Sequence, residues 1–295
     1  HFSDGTSRDV TNLCVFDSSS LDIHVSRDGK VAVDTIGLTT VTVRYLHVQH
    51  AIRLEVIPAW PDFEFRAPVS TGFIDELVFG QLRRLRINPS PVCDDAVFLR
   101  RAWLDATGQL PPPDIAREFM TSTDHHKRAA MIDRLLSSEE FVDQQTMHWA
   151  DLLRVEEKTL DATGLKEYHQ WIRASIAEGK PLNRMAAELI EARGSTYKVP
   201  QANLYRALRS PEERGEAMAQ LFLGVRLTCA KCHNHPFDRW TQDDYYGWSG
   251  LFARVDYEIV ENKRRDKNDK HEFVGEQIVR IAETGEVRNP RTGQP

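Results

Sequence analysis

Phe73-Ile74-Asp75-Glu76-Leu77-Val78-Phe79-Gly80-Gln81-Leu82-Arg83-Arg84-Leu85 is where the chain changes its period. Phe73, Leu77, Leu82 and Leu85 recur at the spacing of one helix face. Upstream the repeat is two: Val41, Val43 and Tyr45 alternate with Thr42 and Arg44, as a strand with one buried face requires. Short β-branched runs at 21–25, 31–33, 39–45 and 51–57 are separated by turn residues, and Asp28-Gly29 offers the positive φ of a tight hairpin. Residues 1–58 therefore read as a partial β-sandwich, and the Pro- and aromatic-rich stretch 59–72 as a linker. Downstream, Phe98, Leu99, Trp103 and Leu104 mark a second amphipathic stretch, and Pro111-Pro112-Pro113-Asp114 feeds a helix start. Further helices are expected at 115–120, 127–136, 139–155, 164–177, 182–192 and 212–223, making 73–257 a mainly α-helical domain. The remainder, 258–295, begins with a charged excursion over 261–270, read as solvated surface, and resumes a weak β pattern over 271–281. The fold class is multi-domain: a β-sandwich segment, a helical domain and a short β-like tail.

Composition bounds the function. With 295 residues and 41% hydrophobic content the chain can bury more than one core. Its net charge of −6, with both signs interspersed, leaves no basic stripe to neutralise phosphates, so nucleic acid is not an expected partner. No apolar run approaches the ~20 residues of a membrane helix, and the opening His1-Phe2-Ser3-Asp4-Gly5 does not look like a signal peptide, so a signal or anchor is expected outside this segment. There is no Gly-rich phosphate loop, no Gly-x-Ser-x-Gly elbow and no zinc-protease helix motif.

Four cysteines are too few for a disulfide scaffold. Cys14 and Cys93 stand alone and read as small buried hydrophobes, with a bridge between them left open. The informative cluster is Cys229-Ala230-Lys231-Cys232-His233. Two thiols three positions apart can form thioethers to haem vinyl groups, while the adjoining imidazole ligates the iron from one face. Two alternatives stay open: zinc held by Cys229, Cys232, His233 and His235, and a Cys229–Cys232 disulfide. Leu221, Phe222, Leu223, Val225 and Leu227 before the cluster, and Phe237, Trp240, Tyr245, Tyr246, Trp248, Leu251 and Phe252 after it, offer apolar walls or an ordinary core. Arg226, Lys231 and Arg239 suit haem propionates or plain surface positions. The paired His125-His126, and His24, His47 and His50 in the β segment, have no partner cluster and receive no role.

Two family resemblances rest on these residues. Phe2-Ser3-Asp4-Gly5, Arg8-Asp9-Val10-Thr11, Asp28-Gly29-Lys30-Val31 and the 37–45 strand resemble the bacterial immunoglobulin-like domain of the group-two type, which implies a secreted or surface protein and first strands lying before this segment. The string from Ala219-Gln220-Leu221-Phe222-Leu223-Gly224-Val225-Arg226-Leu227-Thr228 through Cys229-Ala230-Lys231-Cys232-His233 to Asn234-His235-Pro236-Phe237-Asp238 resembles the planctomycete cytochrome-C-like family, whose biochemical role is not established. Phe98-Leu99-Arg100-Arg101, Asp133-Arg134-Leu135-Leu136, His148-Trp149 and Trp240-Thr241-Gln242-Asp243-Asp244-Tyr245-Tyr246 extend that likeness from about 73 to 257. It implies covalent haem c at Cys229 and Cys232, His233 as proximal iron ligand, and a further domain downstream of 285–295.

The iron's opposite face decides between electron transfer and chemistry on a small ligand. His148, on a stripe with Phe141 and Leu152, is the first candidate there; His169, Met147 and Met218 follow. The expected function is an extracytoplasmic haem-binding domain passing electrons to a redox partner or an attached domain. The rivals are a scaffolding protein whose cluster holds zinc or a disulfide, and a haem enzyme acting on a small oxidant.

Overall fold

A computed structural model of the chain describes residues 1, 4–46, 48–236, 238–263 and 274–294. It divides into two compact units, one formed by residues 1–92 with 229–242, the other by 93–228 with 243–295. Phe2-Ser3, His47, Phe237 and 264–273 lie outside the described residues, and with them most of the charged excursion and the start of the 271–281 pattern.

In the first unit, β1 (Val15–Ser18), β4 (Gly37–Tyr45) and β5 (Val48–Val56) form an antiparallel sheet with β4 in the middle, and β2 (Ile23–Val25) pairs with β3 (Val31–Val33). The β2–β3 turn forms where expected: Gly29 has φ +78, a conformation an L side chain resists, and the Ser26 and Lys30 backbones bond across it at 2.9 Å. The register puts Thr40 opposite Arg53, Thr42 opposite Ala51 and Arg44 opposite Gln49 on one face, with Asp17 of β1 opposite Thr42. Val41 and Val43 share the other face with Ile52, and Val41 is buried there. The linker is tied to α1 (Phe73–Arg84) at its exit: Arg86 donates to the Pro58 and Trp60 carbonyls, both at 2.8 Å. Of the apolar stripe at 73–85, Leu85 at the end of α1 is buried, but Phe73 and Leu77 are exposed, and in mid-helix Phe79 meets the linker's Phe65 ring.

The second unit is helical, with α2 (Asp95–Thr107), α3 (Pro113–Thr121), α4 (Lys127–Leu136), α5 (Glu139–Leu152), α6 (Glu157–Ala177), α7 (Leu182–Glu191), α8 (Asn203–Ala207), α9 (Pro211–Phe222) and α10 (Gln242–Gly250). Pro113 sits in the first turn of α3, where its missing N–H costs nothing. The main core gathers Leu153, Leu160, Tyr168, Ile172, Leu189 and Leu204; a smaller one joins Leu99, Phe119, Met131 and Leu135. A three-stranded sheet of order β6-β8-β7 (Gly194–Ser195, Gln277–Ile281, Val255–Ile259) closes the unit.

α6 is two helices joined at Asp161, whose φ of 52 breaks the spiral. The Asp161 carboxylate caps the second of them by accepting the Gly164 amide at 2.9 Å. It also accepts from the Gly275 amide and the Tyr197 hydroxyl, both at 2.8 Å, and from the fully buried Arg206 at 3.2 Å. Burial alone would raise this carboxyl, but the four donors outweigh it and hold it below the usual carboxylate range. Tyr197, half-buried beside that charge, is pushed up to about 12. No helix among the described residues is long and apolar enough to cross a membrane.

Candidate functional site

The cysteine–histidine segment follows α9, which ends as the chain turns at Gly224 with φ +66 and the Val225 amide reaches back to the Ala219 carbonyl at 3.1 Å. A single 3-10 turn, Leu227–Lys231, then carries Cys229, with Ala230 fully buried beside it. Cys229 is half-buried, and Cys232 and His233 are exposed. All four cysteines are free thiols, so neither the Cys229–Cys232 nor the Cys14–Cys93 bridge is formed.

Short-range bonds shape the loop that follows. The His235 amide donates to the Trp240 carbonyl at 2.7 Å, and Gln242 donates through its side chain to the Lys231 carbonyl at 3.0 Å and through its backbone to Asn234 Oδ1 at 3.1 Å. Two side chains from the polar face of the sheet hold the same loop. Thr42 Oγ1 donates to the Pro236 carbonyl at 2.6 Å, and Gln49 Nε2 donates to the His235 carbonyl at 2.9 Å. Thr42 and Gln49 are therefore site residues that sequence reasoning missed. Alternation marked Thr42 as the outward face of a strand, Gln49 fell between two β runs, and nothing in the spacing told what that face meets.

The His233 ring is oriented by its neighbour. Its Nδ1 lies 2.7 Å from the Asn234 carbonyl oxygen. A carbonyl only accepts, so Nδ1 carries a proton, and in the neutral ring Nε2 is then the nitrogen with the lone pair, the tautomer a metal-ligating imidazole needs. A cleft of about 300 Å³ beside the ring is bordered by Asp17, Thr42, Arg44 and Gln49. Its lining residues are polar in type, Pro236 apart, yet they turn mostly carbon toward the cleft. Most of the predicted apolar walls are spent elsewhere: Leu221, Phe222 and Trp248 pack against the main helical core, to which Phe252 belongs, and Leu223 and Leu251 are exposed. Phe237 lies outside the described residues.

Tested against this geometry, the donor set fits covalent haem: two unbridged thiols, an exposed imidazole and a protonated Nδ1 that frees Nε2. It fits a preformed zinc site less well. Among the described residues no three His, Cys, Asp or Glu side chains converge to hold a metal ion, and Cys229, Cys232, His233 and His235 are no exception.

The candidates for a distal ligand fare unevenly. His148 is exposed on α5, whose inward residues are Thr146 and, just past its end, Leu153; the packing ground for choosing it is thereby removed. Met147 is likewise exposed, His169 is half-buried and Met218 belongs to the core. Arg226, Lys231 and Arg239 are all exposed.

Fold and site together define a protein of two units, one built mainly on antiparallel strands and one mainly on helices, that displays a Cys-x-x-Cys-His loop braced on a sheet. The chain belongs to the PSCyt2 family, described as proteins of unknown function (DUF1549), whose model matches residues 73–257. No curated protein and no solved structure matches it.

Proposed function

We propose that Cys229, Cys232 and His233 are a covalent attachment site for one haem c, and that the protein is an extracytoplasmic electron carrier. The observation that carries this reading is the His233 ring, held by the Asn234 carbonyl with Nε2 free, directly after two unbridged thiols. Bound haem would supply one-electron chemistry at its iron. The chain's own part is to place the ligand. Asn234 fixes the tautomer, and Thr42 and Gln49 pin the loop carbonyls so that the imidazole keeps its aim. Because Cys232 and His233 are exposed, the attachment edge faces solvent, where a partner protein or an attached domain can approach. The β segment, proposed to be immunoglobulin-like, then braces the site as well as acting as a spacer.

Zinc is the rival that geometry favours less, since its four donors would have to be drawn together. The test is to export the chain in a host that attaches haem c and to record the reduced spectrum. A sharp absorption band that survives acid denaturation and disappears in Cys229→Ser/Cys232→Ser supports the reading. A colourless protein carrying stoichiometric zinc overturns it.

A further inference from the structure

On the same face of the sheet, a second cleft of about 360 Å³ opens between β4–β5 and the loop, a size typical of small-molecule sites. Arg53 enters it from β5 and Arg239 from the loop. The chain as a whole is acidic, at −6, so two guanidiniums in one concavity run against its composition. Neither has a carboxylate partner among the described residues; Arg239 lies over the Trp240 ring at 5.0 Å. Asp238 is the one acidic group on the wall, and its Oδ1 is engaged by the Arg239 amide at 2.7 Å. The loop carbonyls of His235 and Pro236 already accept from Gln49 and Thr42. The charged side chains that remain to face a ligand are therefore the two guanidiniums, with His235 also on the wall.

Concave, like-charged walls focus field on a counter-ion, and a guanidinium fork matches a carboxylate in shape. We propose that this cleft is an anion site that takes a small carboxylate, or an oxyanion of similar size, between Arg53 and Arg239. Two sources share that chemistry: a free organic acid, and, where the haem reading holds, a propionate of the attached cofactor.

The test titrates malonate into the full chain without haem, at low salt, by calorimetry. Saturable binding is expected, weakened about tenfold or more by Arg53→Gln and by Arg239→Gln, and unchanged by Arg100→Gln on the helical unit. Absence of saturable binding, or equal binding by the Arg53→Gln/Arg239→Gln double variant, overturns the proposal. Repeating the titration on haem-loaded protein separates the sources. Lost malonate binding identifies the propionate, and retained binding the free acid. Failure to load haem leaves the first titration intact.

Discussion

Asp161 shows how much one residue can organise. It ends one helix, starts the next, and pairs with Arg206, whose side chain is wholly buried. Replacing it with Asn keeps the shape but removes a negative charge from beside that buried guanidinium, at an expected cost of about 3 kcal/mol in denaturant unfolding. The pH dependence follows in sign. The folded carboxyl titrates below its unfolded value of 3.8, so its contribution is fully present above that value and is lost as pH falls through the lower folded one. The stability gap between wild type and Asp161→Asn should accordingly close in acid; a constant gap down to low pH would contradict the assignment. None of this was legible beforehand: the helix was expected to begin at Gly164, three residues past its true cap, because the partners of Asp161 beyond Gly164 lie 36 to 114 positions away along the chain. The Cys229-x-x-Cys232-His233 grouping, by contrast, was plain, since its chemistry depends on local spacing. The expected inward placement of His148 differs from the exposed position observed, because a stripe of two apolar residues did not define which side of α5 is buried.

At the level of elements, boundaries follow the end signals. Ser210 and Glu213 form a reciprocal capping box at the start of α9, and Ser210→Ala is expected to cost about 1 kcal/mol. Gly108 ends α2 at φ +70, and a Cβ there would meet the Gln144 side-chain oxygen of α5 at 2.4 Å. Gly108→Ala should therefore lose about 1–2 kcal/mol from the backbone alone, more than an Ala substitution at the unhindered Gly80 of α1, and the two melting curves compare them directly. The helix 127–136 was legible to the residue, although no side chain caps its start. The stripe Phe73, Leu77, Leu82, Leu85 was read as one face of a helix, and the helix is there, but Phe73 and Leu77 are exposed, since periodicity reports a moment and not the presence of a partner.

Across the molecule, the segment 229–242 groups with the β unit although sequence places it deep in the helical region. That grouping was illegible because it rests on bonds between residues 186 and 194 positions apart. Thr42→Val with Gln49→Leu removes both side-chain donors to the loop while keeping the strands. Faster amide exchange at His235 and faster alkylation of the Cys232 thiol are expected, with the helical circular dichroism unchanged; unaltered rates would show that the sheet does not brace the loop. The central claim, that the loop attaches haem, is tested most directly by the intact mass of the chain exported from a host with haem c maturation. The account predicts the mass of one haem added to the polypeptide, retained through acid denaturation and absent from Cys229→Ser/Cys232→Ser. An unmodified mass for the wild-type chain, in a host that loads a control cytochrome c, would contradict it.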